Sequence, residues 1–141
     1  MRHLALDVGD ERVGVAISDE EGRLARPLEV ILRRPGPEGF KRLAELVARY
    51  EVGCIVVGLP LLADGTEGRQ VRSTQAYVRG LQAHTAVPIV YWDERGSTSR
   101  ANQIMAAEGA SRRRRRHRSD AVAAAVILQA YLDEQAGGKA L

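Results

Sequence analysis

The sequence predicts one α/β domain: a mixed five-stranded sheet with a leading antiparallel hairpin, parallel strands after it, and helices on both faces. Three observations carry this. The chain opens on two short apolar runs separated by a turn, later apolar runs alternate with segments of helical spacing, and no linker or repeat divides its 141 residues. A hydrophobic content of 45% suffices for one core without disulfide support.

The elements follow in order. Leu4-Ala5-Leu6-Asp7-Val8 is short, apolar and closed by Gly9-Asp10, and Val13 to Ile17 returns after the turn, which is a hairpin. Gly22 turns the chain into a third strand, Pro27 to Ile31, antiparallel to the second because the connection is short. Pro35-Gly36-Pro37 breaks it. Phe40, Leu43, Leu46, Val47 and Tyr50 then recur at helical spacing over Glu38 to Tyr50, with Lys41, Arg42, Glu45 and Arg49 on the other face and Gly53 as the stop. Cys54 to Val57 is continuously apolar, as in a strand covered on both faces, and ends in Gly58-Leu59-Pro60. Turn residues 63–68 lead to a helix with Val71, Val78 and Leu81 inward and Arg69, Arg72 and Arg79 outward. Pro88 opens a fifth strand, Ile89 to Trp92, where Tyr91 and Trp92 read as core residues. Ser97 caps a helix carrying Ala101, Ile104 and Met105 that ends at Gly109, the arginine run follows as a loop, and Ser119 caps a last helix. Val122, Ala125, Val126, Gln129 and Leu132 share a face of that helix, and the tail frays from about 136, at Gly137-Gly138.

Composition excludes several classes of protein. No stretch approaches the roughly 18 apolar residues of a membrane span, and Met1-Arg2-His3 leads directly into a strand, so a cytoplasmic protein without membrane partners is expected. The single cysteine, Cys54, lies in an apolar run and reads as a structural thiol. Charge is informative by location. Of 21 basic residues, six are Arg112, Arg113, Arg114, Arg115, Arg116 and Arg118; the remaining 15 face 18 acids, so the net +3 comes from this one segment. Such a run is either a solvated segment or a contact to an anionic polymer. His117, inside the run, is a solvated neighbour or a contact to phosphate.

Asp7 is the anomaly in the opening strand, because a carboxylate taken out of water either takes up a proton or needs a cation. In sheets of this kind, chemistry collects beyond the carboxyl ends of the parallel strands. Asp93-Glu94 at the end of the fifth strand and Asp120 in the first turn of the last helix share that address with Asp7. Taken singly, each has a structural explanation, such as a turn, a cap or a favourable helix dipole. Converging in one cleft they would repel, and a divalent ion would hold them. Oxygen donors suit Mg²⁺ or Mn²⁺, whereas His3, His84 and His117 show no zinc-type spacing.

Four blocks carry a resemblance over nearly the whole chain: Leu6-Asp7-Val8-Gly9 through Arg12-Val13-Gly14-Val15-Ala16; Val56 to Leu61 with Asp64-Gly65; Asp93-Glu94-Arg95; and Ser119-Asp120-Ala121-Val122-Ala123-Ala124 with Ile127-Leu128-Gln129. In order and spacing they resemble the YqgF/RuvX family of Holliday-junction resolvase-like nucleases, which implies a ribonuclease H-like fold. The resemblance implies that Asp7, Glu94 and Asp120 are catalytic, metal-binding acids, with Arg12 and Arg95 beside them among the nucleic-acid contacts. This chain departs from the family pattern at Gly96, which replaces an apolar residue, and its fourth strand ends in Gly58-Leu59-Pro60, with no acid where other nucleases of the fold have one.

The expected function is therefore a divalent-metal-dependent nuclease acting on structured nucleic acid, through processing of the pre-16S rRNA 5′ end or, alternatively, resolution of DNA four-way junctions. Junction cutting would call for a homodimer, single-strand cutting only a monomer. Two rivals belong to other classes. A non-catalytic nucleic-acid-binding module would keep the arginines and use the acids structurally, and a sugar-kinase or actin-like ATPase would need a second domain that this length does not supply.

Overall fold

A computed structural model of the chain describes residues 1–94 and 112–139, with the side chains of the second segment described from Asp120 to Gly137. Three strands come first, β1 (Arg2–Val8), β2 (Arg12–Ser18) and β3 (Ala25–Leu32). They are followed by α1 (Glu38–Arg49), β4 (Val52–Leu59), α2 (Arg69–Gln82), β5 (Ile89–Asp93) and a long last helix, α3 (Arg112–Lys139). The sheet order is β3-β2-β1-β4-β5. β1 and β3 both run antiparallel to β2, while β4 lies parallel to β1 and to β5.

Strand alternation sorts the core into two layers. Leu4, Leu6 and Val8 of β1 join Val13, Val15, Ile55 and Val57 on one face, under Leu43 and Leu46 of α1 and Val78 and Leu81 of α2. Ala5, Ala16 and Val56 point the other way, under Ala124, Ala125, Ile127, Leu128 and Leu132 of α3. Small residues dominate this second layer, so α3 approaches the sheet closely. Asp7 follows Ala5 on the α3 side, which is why an acid interrupts an otherwise apolar run.

Gly14 is where that approach is tightest. It pairs with Asp7 across the β1–β2 ladder, and a Cβ at this position would lie 1.8 Å from the Asp120 carbonyl oxygen. The glycine therefore lets the backbone of α3 rest directly on β2, and this contact delivers Asp120 to the side of Asp7.

Several expectations are corrected. Gly53 does not stop α1, which ends at Tyr50; Glu51, with φ 53°, reverses the chain, and Gly53 lies within β4, where Met1 fills the space of a side chain. The arginine run is not a loop. Residues 112–118 are helical and Ser119 lies inside α3 rather than capping it. Arginine is a good helix former, and a helix already anchored over 121–132 extends without a new nucleation cost. The helical span runs to Lys139. Tyr91 is exposed at 41%, because β5 is an edge strand, whereas Trp92 packs in the α3 layer with its ring edge-on to Tyr131 at 5.8 Å. The helix expected between Ser97 and Gly109 lies outside the described residues. Among the described residues no helix is long and apolar enough to cross a membrane.

Because the obstacle at Gly14 is backbone rather than a flexible side chain, Gly14→Ala should destabilise the fold by about 3 kcal/mol or more, the upper end of overpacking costs. Urea unfolding measures this, and a variant as stable as the wild type would show that the helix does not rest on β2 here.

Candidate active site

The parallel strands end at one edge of the sheet, and the acids gather there. Asp7 is the residue after the Leu6–Val57 pair of β1 and β4, and Asp93 is paired with Leu59 at the end of β5, with Glu94 next in the chain. Asp120 arrives from α3. Gly58, paired with Trp92, creates the room: a Cβ there would meet Glu94 Oε2 at 2.5 Å and Ile127 Cδ1 at 2.6 Å. The strand position that lacks an acid thus holds the carboxylate of Glu94 in the space of its missing side chain.

The electrostatics follow from crowding and burial. Burial, with repulsion from Asp120 added, pushes the Asp7 carboxyl up to about 6. Burial first, then Asp7 and Asp93, pushes Glu94 up to about 7. Glu94 Oε2 and Asp120 Oδ2 are buried and have no hydrogen bond among the described residues. Arg12 Nε does approach Asp120 Oδ2 to 2.8 Å. The two observations are compatible when that contact is read as an ion pair, close in distance but without a directed hydrogen bond. Arg12 is itself fixed at the hairpin by Gly9, whose N–H donates to the Arg12 carbonyl at 2.8 Å.

The structure therefore brings Asp7, Glu94 and Asp120 into one neighbourhood, with Asp93 beside Glu94 and Arg12 on Asp120. Asp7 stands in the middle, since the repulsions run from it to each of the other two. Among the described residues no group of three such side chains is close enough to enclose an ion. The donor set nevertheless suits a hard divalent cation: all donors are oxygens, two of them lack a hydrogen bond, and the raised carboxyls are what a positive charge would relieve. Arg95 lies outside the described residues. Arg112 to Arg116, His117 and Arg118 occupy about two helical turns immediately before Asp120.

Sequence reasoning missed Arg33. Its guanidinium donates to the Gly9 carbonyl at 3.0 Å and to Ser73 Oγ and O at 2.8 and 3.0 Å, and lies 5.3 Å from the Tyr77 ring centre. It ties the hairpin tip to α2, where Ser73 and Gln70 also reach Asp10. No spacing signal marks it, because its partners are a backbone carbonyl and a serine 40 residues away.

A mixed sheet in the order β3-β2-β1-β4-β5, with carboxylates beyond its parallel strand ends, is the architecture of the ribonuclease H-like fold. The chain belongs to the RuvX family, described as Holliday junction resolvase, whose model matches residues 1–134. A relative from Symbiobacterium thermophilum is 45% identical over 136 residues, covering 96% of this chain and 94% of its own. Another from Anaeromyxobacter sp. (strain Fw109-5) is 44% identical over 133 residues, covering 94% and 97%. Both are named "Putative pre-16S rRNA nuclease". The fold is shared with T. thermophilus RuvC in complex with Holliday junction substrate, at TM-score 0.59 and 15% identity over 97% of this chain and 96% of that one. It is also shared with the fowlpox virus resolvase in complex with Holliday junction DNA, at TM-score 0.58 and 10% identity over 96% and 99%.

The raised carboxyls set a sign for stability. A carboxyl that binds its proton more tightly in the folded chain favours folding below its unfolded value, near 3.8 for Asp7, and that contribution is lost as pH rises through about 6. Metal-free Asp7→Asn should therefore gain on the wild type between about pH 4 and 6 and level off about 2–3 kcal/mol more stable above that. Thermal unfolding in EDTA across this range tests it; a difference that ignores pH would remove the buried-carboxylate account.

Proposed function

We propose that this chain is a divalent-metal-dependent nuclease that cleaves phosphodiester bonds of structured RNA, in processing of the 5′ end of pre-16S rRNA. The observation that carries the reading is the convergence of Asp7, Glu94 and Asp120 at the strand ends, with two buried oxygens lacking hydrogen bonds. The names of the relatives support the RNA. Asp7, Glu94 and Asp120 would hold Mg²⁺ or Mn²⁺, which when bound supplies Lewis acidity toward the phosphate and acidifies water.

The chain's own residues do the rest. Asp7, fixed by the sheet, and Asp120, fixed by the contact at Gly14, present carboxylates from two rigid elements, which is the precision a reacting phosphate needs. The carboxyl of Glu94, pushed up to about 7 by burial and the neighbouring acids, would be drawn back to the charged carboxylate by a cation that it helps to hold. The first turns of α3 carry like positive charge at the positive end of the helix dipole, an arrangement that an anion relieves. The arginines and His117 there, with Arg95, are assigned to the nucleic-acid backbone, so binding should weaken steeply with salt.

A second reading, cleavage of DNA four-way junctions, is favoured by the family description and by the resolvase folds. It would call for a homodimer with two sites on a two-fold axis. The deciding experiment offers labelled pre-16S 5′-leader RNA, single-stranded RNA, single-stranded DNA and a four-way junction to wild type and Asp7→Asn, with Mg²⁺, Mn²⁺ or EDTA. Leader RNA should be cut by the wild type only with metal, and about a hundred-fold or more slowly by Asp7→Asn. Preference for the junction would favour the second reading. Binding without cleavage, indifferent to Mg²⁺ and to Asp7→Asn, would leave a non-catalytic binding module.

A further inference from the structure

We propose that Arg12 is the internal counter-ion of the acid cluster: its guanidinium occupies Asp120 in the metal-free protein and must give that carboxylate up for a divalent cation to bind. The inference rests on the metal-dependent reading above. Its geometric basis is the 2.8 Å approach of Arg12 Nε to Asp120 Oδ2, a buried oxygen that has no hydrogen bond among the described residues. Among the described residues the Arg12 guanidinium thus meets the carboxylate of the cluster that arrives on α3.

The two ends of this ion pair differ in freedom. Asp120 belongs to a helix whose backbone is seated on Gly14, so its carboxylate has little room to retreat. Arg12 has a backbone fixed twice, by pairing with Leu32 of β3 and by the Gly9 N–H on its carbonyl, but its side chain is one third exposed and reaches the pair along a long flexible stem. Displacement therefore moves the arginine and leaves the acids in place. The Asp120 oxygen that a cation would use is the one that Arg12 approaches. Arg12 is a positioning residue in this sense: it holds the cluster together without metal and competes with metal for Asp120. Once released, its planar fork of donors remains at the mouth of the site, within the same turn of chain, and suits a phosphate.

The test measures Mn²⁺ binding directly, by the loss of the free-ion electron paramagnetic resonance signal, in full-length wild type, Arg12→Gln, Arg12→Lys and Asp7→Asn. Thermal unfolding is recorded with and without Mn²⁺. Removing the competitor should tighten Mn²⁺ binding of Arg12→Gln about two- to five-fold, the size of a partly exposed ion pair. It should also lower the melting temperature without metal and enlarge the rise on adding Mn²⁺. Arg12→Lys, which keeps the charge and loses the fork, should change in the same direction by less, and it serves if the glutamine variant does not fold. Equal or weaker Mn²⁺ binding in both arginine variants, beside a wild type that binds and an Asp7→Asn that does not, would overturn the role of Arg12 and leave the metal site standing. No Mn²⁺ binding by the wild type would overturn the metal reading and this inference with it.

Discussion

The contact on which the structure depends is that of α3 with β2 at Gly14. An added Cβ would lie 1.8 Å from a backbone oxygen, so the helix and the strand touch without an intervening side chain. This places Asp120 opposite the Gly14–Asp7 pair and turns two acids 113 residues apart into neighbours. The small residues Ala5, Ala16, Ala124 and Ala125 maintain the same close spacing further along the interface. A bulkier layer would lift the helix and separate the acids. Packing on this face is thus subordinate to the site, while the face under α1 and α2, built from Leu, Ile and Val, supplies the conventional burial.

The closeness carries an electrostatic cost. Asp7 and Glu94 are both held above the ordinary carboxylate range, and in each case burial is the larger cause and a neighbouring acid the smaller. Strands packed purely for stability would have no reason to keep these groups, since a buried charge without a partner works against folding. Gly58 points the same way: a side chain there would have filled the layer against Ile127, yet the space accommodates an oxygen of Glu94. Local preferences for a better core have been overridden at two glycines, and both overrides serve the same three carboxylates.

Much of this was legible in the chain. Asp7 stands out because a charge interrupts Leu4 to Val8, the strand-end rule adds the Asp93-Glu94 pair and Asp120 as candidates, and the family resemblance selects Glu94 and Asp120 among them. The order of strands and helices followed from apolar runs and breakers. What stayed hidden depends on contact rather than pattern. Arg33 bonds a carbonyl and a serine distant in sequence, and neither leaves a periodic trace. Gly53 carries the signal of a helix stop, but it lies within β4 with the Met1 side chain over it, while Glu51 performs the reversal. The arginine run was read as a loop because it repels itself and has no apolar stripe; its helicity is inherited from the buried segment that follows. Tyr91 was misplaced because its strand lies at the sheet edge, a property of strand order that the run of four residues does not contain.

That inheritance links the arginine run to the acid cluster. The arginine positions and Asp120 belong to one continuous helix, so under the proposed function a polyanion held at residues 112–118 would lie on the same element that carries Asp120 and its ion pair to Arg12. Phosphate bound there would offset the positive charge of the arginines and of the dipole, which add to one another at the amino end of α3. The opening hairpin, with Asp7 in the sheet and Arg12 at its tip, is the fixed frame against which α3 sets Asp120.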